Sequence, residues 1–493
     1  MNGLQKVLFW LGRLGPTLLL LGMFLTEESK NHFLQAAEQP NLIFILADDL
    51  GWGDVAFHGS EIQTPNLDRL VQEGAELERF YVCPVCSPTR AGLMTGRYPI
   101  RFGLMRAVLP PWREGGLDPQ ETTLAEKLAD AGYRHRGVFG KWHLGHSSRM
   151  YHPLEQGFTE FLGHYNGAID YFTHEREGEQ DWHRGFEPLS QKGYTTDLIA
   201  RASADFIKRN HQDGPFFCYI PFNAPHSPLQ AKKKDLAKYK DLGPPQASSG
   251  KKVRQDRKTL AAMIDSMDQG IGLILQTLDE LDLAENTVVW FSSDNGGVDR
   301  VAVNRPYRGH KSTVFEGGIR VPAVVRWPAK IPAGKKIDAP LGYIDVFPTM
   351  VEMAGIAKKT APSGRPLDGI SAYDLLLGEA TPGERGFYSY IGQSGEEKEQ
   401  IALHEGDWKL VCIGQRLDDL DAQDSQREFF LFDIKKDPYE ETNLASKHPE
   451  VVQKMLTKLI LFRQSQPADA VPPYNVGKVR SFQAPKNWQI PAN

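Results

Sequence analysis

Asn41-Leu42-Ile43-Phe44-Ile45-Leu46-Ala47 runs straight into Asp48-Asp49-Leu50-Gly51. A continuous apolar run with β-branched content predicts a strand buried on both faces, not the alternation of a half-exposed one. It stops on two adjacent carboxylates. A second run, Thr287-Val288-Val289-Trp290-Phe291-Ser292, is followed closely by Asp294-Asn295-Gly296-Gly297. Working outward, Thr64-Pro65 opens a helix over 65–73, a cap followed by a first-turn proline. Further helices are expected over 122–131, 196–209 and 259–281, with strands over 137–140 and 216–222. Strands alternating with helices predict an open, largely parallel sheet covered on both faces. Ligands of such sheets bind beyond the carboxyl ends of the strands, where both acidic elements stand.

Between these strands lies Cys86-Ser87-Pro88-Thr89-Arg90, continuing through Leu93-Met94-Thr95-Gly96-Arg97. Proline fixes φ and removes a donor, so a helix can begin there with the cysteine side chain at its positive end. Arg90 falls one helical turn later, on the same face. A thiol so placed is expected to be activated. Cys83-Pro84-Val85-Cys86 can also be read as a redox pair or half a zinc site. With four cysteines in all, and no second C-x-x-C from Cys218 and Cys412, a four-cysteine zinc site lacks its other half. A buried structural cysteine is the ordinary reading of any single Cys.

At 493 residues the chain can build two or three cores, or one large α/β domain with a small companion. Hydrophobic residues at 41% and charged residues at 24% are those of a globular protein. A net charge of −5 excludes whole-surface binding of nucleic acid or another acidic polymer, so any polyanion must be met locally. Lys6 and Arg13 precede a short apolar run from Leu14 to Leu25, so residues 1–38 read as a signal peptide and leader, with an uncleaved anchor as the alternative. That reading makes the export machinery a partner. No Asn-x-Ser/Thr sequon occurs and cysteines are few, which fits a bacterial exported protein, periplasmic or extracellular.

The run from Cys86 resembles the recognition sequence of the type I sulfatases, C-(S/C)-P-x-R followed by L-x-T-G-R. The resemblance covers nearly the whole chain after residue 39. It implies the α/β alkaline-phosphatase-like fold, a large mostly parallel sheet between helices plus a small C-terminal antiparallel sheet with one packed helix. The boundaries expected are a catalytic domain at 39–360, a Gly/Pro-rich linker at 361–385, a C-terminal subdomain at 386–480 and a tail at 481–493. Short strands at 387–391, 400–403, 408–412 and 428–433 and a helix from Pro449 to about Arg463 fill the subdomain. The resemblance also implies that a formylglycine-generating enzyme oxidises Cys86 to Cα-formylglycine, whose hydrate is the nucleophile.

Asp48, Asp49, Asp294 and Asn295 give four hard oxygen donors at two strand ends. An Asp-Asp pair alone is ordinarily a capping or solvated turn. Three carboxylates brought together repel one another and need a cation, and an all-oxygen set selects Ca²⁺ or Mg²⁺ over zinc. The resemblance places one Ca²⁺ here, touching the sulfate and residue 86. Arg90, Lys141, His143, His226 and Lys311 match family positions in C-x-P-x-R, G-K-W-H-L-G, A-P-H-x-P and R-G-x-K. A lone His or Lys is ordinarily structural or solvated, so the set carries the reading. The implied mechanism has a hydroxyl of the residue-86 hydrate attack sulfur while Arg90 and Lys141 hold it in line. His226, helped by Lys311, protonates the departing alcohol, and His143 takes the proton of the second hydroxyl.

The implied substrate is a sulfated carbohydrate. Looser motifs (Phe57-His58-Gly59-Ser60, Gly96 to Arg101, Gly157-Phe158, Asp170 to Glu175, Arg308 to Lys311) resemble the N-acetylgalactosamine-4-sulfatase (arylsulfatase B) branch and bacterial polysaccharide sulfatases, with His310 departing from a usual arginine. Between Ala231 and Lys258, eight Lys and two Arg against three Asp read as a landing strip for a polysulfated chain or as a solvated insertion. Trp112, Trp182 and Tyr171 are candidate sugar platforms or core. The alternatives are a phosphonate or phosphate monoester hydrolase of the same superfamily and, in another class, an inactive sulfated-glycan-binding protein. A phosphatase should carry Ser or Thr and His ligands for two zincs. A decayed binder should have lost Cys86 or several of its partners.

Overall fold

The strand Asn41–Ala47 forms as its pattern dictates, with all seven residues buried. This computed structural model describes residues 39–243, 256–356, 364–380, 383, 385–417, 427–478 and 481–485. The expected leader, the middle of the basic stretch, and parts of the expected linker, subdomain and tail lie outside those residues.

Parallel neighbours flank the strand, Phe216–Pro221 on one side and Thr287–Ser293 on the other. His135–Lys141 and Glu160–His164 continue the parallel array beyond Phe216–Pro221. Antiparallel partners then close both flanks, Ala323–Arg326 beside Thr287–Ser293 and His183–Arg184 beside Glu160–His164. The result is a ten-stranded mixed sheet with a parallel centre. Leu42, Phe44 and Leu46 enter one apolar cluster while Ile43, Ile45 and Ala47 enter another, which is why the strand shows no polar alternation. Each fully buried side chain of Leu, Ile or Phe size contributes about 1.5–3 kcal/mol. Helices Thr195–Asn210 and Arg257–Glu280 cover the second face. Cys86–Thr95, Leu124–Asp130 and Val346–Met353 cover the first.

Gly386–Ile391, Glu399–Glu405, Trp408–Gly414 and Arg427–Asp433 make a four-stranded antiparallel sheet in chain order. Its Leu403 and Leu410 share a core with Leu459 of the helix Pro449–Gln464 and with the first face of the large sheet. A buried charge knot joins the two sheets. Lys409 Nζ lies 2.8 Å from Glu316 and 2.7 Å from Glu440, and His404 Nε2 lies 2.8 Å from Glu316. Glu316 opens a short turn a few residues after Lys311, so the small sheet braces that loop. Past the last helix, the chain turns back over the large-sheet loops. Val471 N–H donates to Gly103 O, Tyr474 N–H donates to Gln393 O, and Phe482 is buried with its ring against His146.

Candidate active site

Because the central strands are parallel, their carboxyl ends meet at one edge, and the polar residues that follow them converge there. Asp294 N–H donates to Ala47 O, Asp49 N–H to Asp294 Oδ1 at 3.2 Å, and Leu50 N–H to Ser293 Oγ at 3.0 Å. These bonds stitch the two acidic strand ends together. Asp49 has φ 68° and His143 φ 57°, left-handed conformations that Asp and His tolerate better than most residues.

The Cys86 motif caps this edge with the helix that begins at Cys86. Each of its residues has a local task. Ser87 Oγ accepts from Leu109 N–H at 3.2 Å, and Leu109 O in turn lies 3.0 Å from His143 Nε2. Thr89 Oγ donates to Asp294 O at 2.6 Å. Arg90 donates from Nε and Nη2 to Asp294 Oδ2 (3.1 and 2.8 Å) and from Nη1 to Lys141 O (2.8 Å). The second half of the motif is structural: Gly96 ends the helix at φ 67°, and Arg97 pairs with Glu121.

Three cations answer the three carboxylates. Arg90 serves Asp294, Lys141 Nζ stands 2.6 Å from Asp48 Oδ2, and Lys311 Nζ stands 2.6 Å from Asp49 Oδ1. Buried lysine and arginine thus meet part of the need for cations that three close carboxylates impose, though Asp294 still raises Asp48. Oxygen donors are still left over. Asp48 Oδ1 and Asn295 Oδ1 are buried without a hydrogen-bond partner among the described residues. Ligand atoms of Asp48, Cys86 and Asp294 lie within 4.8 Å of one another, as do those of Asp48, Asp49 and His226. The oxygen donors among them, with Asn295 Oδ1, fit a hard divalent cation. Burial, then Asp294, pushes the Asp48 carboxyl up to about 8. Burial also raises Asp49, but Lys311, His226 and Lys141 more than offset it and hold that carboxyl below the usual range.

A cavity of about 220 Å³ opens over this cluster, and Cys86, His143, His226 and Lys311 line it. Arg90 and Lys141 lie behind it with fully buried side chains, so they hold the carboxylates rather than form the wall. Asp294 and Asn295 are equally buried. The expected activation of the Cys86 thiol does not occur. Burial pushes it up, and Asp294 and Asp48 add to that, against the pull of Lys141 and Lys311. All four cysteines are free and buried, so the C-x-x-C is no disulfide here.

The two histidines are set by carbonyls, which can only accept. His143 Nε2 must donate to Leu109 O, leaving Nδ1 buried, unpartnered and unprotonated. His226 Nδ1 donates to Ser227 O at 2.6 Å, leaving Nε2 facing Asp49 at 3.6 Å. Burial, then Lys141 and Arg90, holds His143 neutral well below its usual range. Burial does the same to His226, with Asp49 pulling the other way and Lys311 and Lys141 adding to the depression.

Sequence reasoning missed several contributors. The Tyr171 hydroxyl lies 2.5 and 2.8 Å from the carbonyls of Asn223 and His226 and so braces the His226 loop. It is not a sugar platform, and neither are Trp182 and Trp112, which are buried. Arg176, Gln393 and Tyr474 also line the cavity, from segments far apart in sequence that no motif signals. Of the basic stretch, Lys232 and Lys238 pair with Asp197 and Asp265, while residues 244–255 lie outside the described residues. The departing residue His310 is turned aside, its Nδ1 donating to Lys311 O at 2.8 Å.

A mixed α/β sheet with an acid cluster, buried cations and two set histidines at its carboxyl edge is the class of hydrolase that the alkaline-phosphatase-like fold supports. Residues 40–356 match the family model described as Sulfatase, and residues 309–465 match the model described as N-sulphoglucosamine sulphohydrolase, C-terminal. The chain is 32% identical to human N-acetylgalactosamine-6-sulfatase, covering 90% of this chain and 88% of that one. It is 29% identical to mouse arylsulfatase J, over 88% of this chain and 77% of that one. Among solved structures it is similar to Ps i-CgsB in complex with k-i-k-neocarrahexaose, with TM-score 0.76, 29% identity, and 87% and 94% of the two chains covered. The chain belongs to the sulfatase family and is a sulfuric ester hydrolase. These relatives come from several branches, so the looser motifs do not single out the 4-sulfatase one. Among the described residues no helix is long and apolar enough to cross a membrane.

Proposed function

We propose that the chain releases sulfate from a sulfated carbohydrate, with residue 86 as Cα-formylglycine and one Ca²⁺ held by Asp48, Asp49, Asp294 and Asn295. The observation that carries this is the shared cavity. Residue 86 opens into the same small hollow as His143, His226 and Lys311, directly over the oxygen-donor cluster. The ion would polarise a sulfate oxygen, and the hydrated aldehyde would supply the attacking hydroxyl. The remaining work falls to the chain's own side chains. Lys311, kept charged by Asp49 despite its burial, presents an ammonium to the anion. His226 Nε2 is the atom placed to hand a proton to the departing alcohol, and an anionic substrate beside it restores the charged form that burial disfavours. His143 Nδ1, with its lone pair free, accepts the proton that frees the product. Arg90 and Lys141 keep Asp294 and Asp48 in register beneath these groups.

The relatives support a glycan substrate: one is named for N-acetylgalactosamine 6-sulfate chemistry, and one was solved with a neocarrahexaose. The reading makes a formylglycine-generating enzyme the maturation partner and keeps the export machinery as the partner of residues 1–38. The test is sulfate release from 4-nitrophenyl sulfate and from sulfated oligosaccharides by chain co-produced with that enzyme. Hydrolysis that is lost in Cys86→Ala and reduced by chelation is expected. A matured preparation that leaves every sulfate ester intact would sink the proposal.

A further inference from the structure

Arg176 lines the cavity, yet none of the steps above uses it. It stands on a two-residue hairpin in which Glu175–Arg176 pairs with Glu179–Gln180. The turn residues Glu177 (φ 55°) and Gly178 (φ 86°) are both left-handed, as a type I′ turn requires, so the position of Arg176 is tightly fixed. Bonds from outside help to hold the hairpin. Asp170 N–H donates to Glu175 O at 2.9 Å, and Phe482 N–H, from the returning tail, donates to Glu177 Oε2 at 3.0 Å.

The guanidinium itself is poorly satisfied. Its Nε is buried without a hydrogen-bond partner, and its one ion pair among the described residues is with Glu177 at 3.7 Å. At that length, with side chains 25% and 32% exposed, the pair contributes little. Among the described residues no carboxylate lines this cavity, in contrast to the larger one of about 480 Å³ across Asp49, which Asp256 and Asp299 line. The scissile sulfate is already provided for by the cluster beneath residue 86. A planar fork of donors in an acid-free wall suits a further oxyanion, bound bidentately.

Resting on the sulfate-ester reading, we propose that Arg176 binds a second anionic group of the substrate, so that the enzyme selects glycan sulfates bearing another sulfate or a carboxylate near the one removed. Tyr474 and Gln393, joined by the Tyr474 N–H to Gln393 O bond of 2.9 Å, supply a ring and an amide to the same cavity.

The test uses matured full-length chain, with 4-nitrophenyl sulfate turnover reporting maturation and chemistry. kcat and KM are then measured on two kinds of paired oligosaccharide: mono- against disulfated, and uronate-bearing against carboxyl-reduced. Wild type should favour the doubly anionic member of at least one pair by about tenfold or more in kcat/KM, mainly through KM. The pair that shows the preference identifies the second group as sulfate or carboxylate. Arg176→Ala should erase the ratio and Arg176→Lys should retain part of it. Equal rates within both pairs, a ratio that survives Arg176→Ala, or turnover of the aryl ester with no oligosaccharide cut would overturn the proposal. Failure on the aryl ester as well as every oligosaccharide would instead overturn the sulfate-ester reading beneath it.

Discussion

Gly167 leaves room for the His143 ring, and filling that room is the sharpest perturbation the site offers. An alanine Cβ at this position would lie 2.5 Å from His143 Cε1 and 2.7 Å from Nε2. Carbon atoms are at ease at about 3.5 Å, so the ring must retreat by roughly 1 Å. It has little freedom to do so. His143 is buried, and its Nε2 is held at 3.0 Å by Leu109 O, which the Ser87 hydroxyl fixes from the other side. A displacement of about 1 Å at a reacting group costs about a hundredfold, and outright loss of a general base about 10²–10⁴-fold. The structural penalty of one added methyl in a packed wall is only about 1–3 kcal/mol. Gly167 is not in the left-handed region, so alanine adds no backbone strain of that kind. Gly167→Ala should therefore mature and fold, yet lose about a hundredfold or more in kcat on 4-nitrophenyl sulfate with a modest fall in Tm. A variant with wild-type kcat would refute the placement of His143 as the working base.

Other expectations concern the knot between the sheets. Lys409→Met strands Glu440 and leaves Glu316 to His404 and Arg320 in a site with no solvent exposure, so urea unfolding should show about 3–5 kcal/mol less stability, and a loss below about 1 kcal/mol would contradict the buried pairing. Glu440 is pushed up from 4.5 to about 7, first by burial and then by Glu316, while Lys409 opposes. Since its folded pKa lies above the unfolded one, its ionisation costs stability that is lost as pH rises from about 4.5 through about 7. Glu440→Gln should flatten that part of the Tm-against-pH curve, and an unchanged slope would count against it.

The strand Asn41–Ala47 and the helix Pro65–Glu73 were fully legible, the first from its unbroken apolar run, the second from its Thr-Pro start. The four strands of the small sheet were legible from turn spacing, to within a residue or two at their ends. Ala75–Leu77 and Ala323–Arg326 were not, because three or four residues are too few to show a period. The mixed character of the sheet follows from such short antiparallel strands, Ala323–Arg326 on one flank and His183–Arg184 on the other. At the site, motif positions marked the residues that converge, but not how they share the work. That Arg90 and Lys141 sit behind the carboxylates depends on strand packing, and the left-handed φ of Asp49 and His143 has no sequence signal. Tyr171, Trp112 and Trp182 show the opposite limit: an aromatic near a site in sequence reads alike whether it binds sugar or fills core, and here each is buried.

Residue 86 is proposed to work as an aldehyde inside this cation-lined hollow. Mass spectrometry of the peptide spanning Val85 to Arg90, from chain produced with a formylglycine-generating enzyme, tests it most directly. The peptide should show the mass loss of a CH₂–SH group becoming CHO, in proportion to sulfatase turnover across preparations. Full turnover from chain in which residue 86 is still an unmodified cysteine would contradict it.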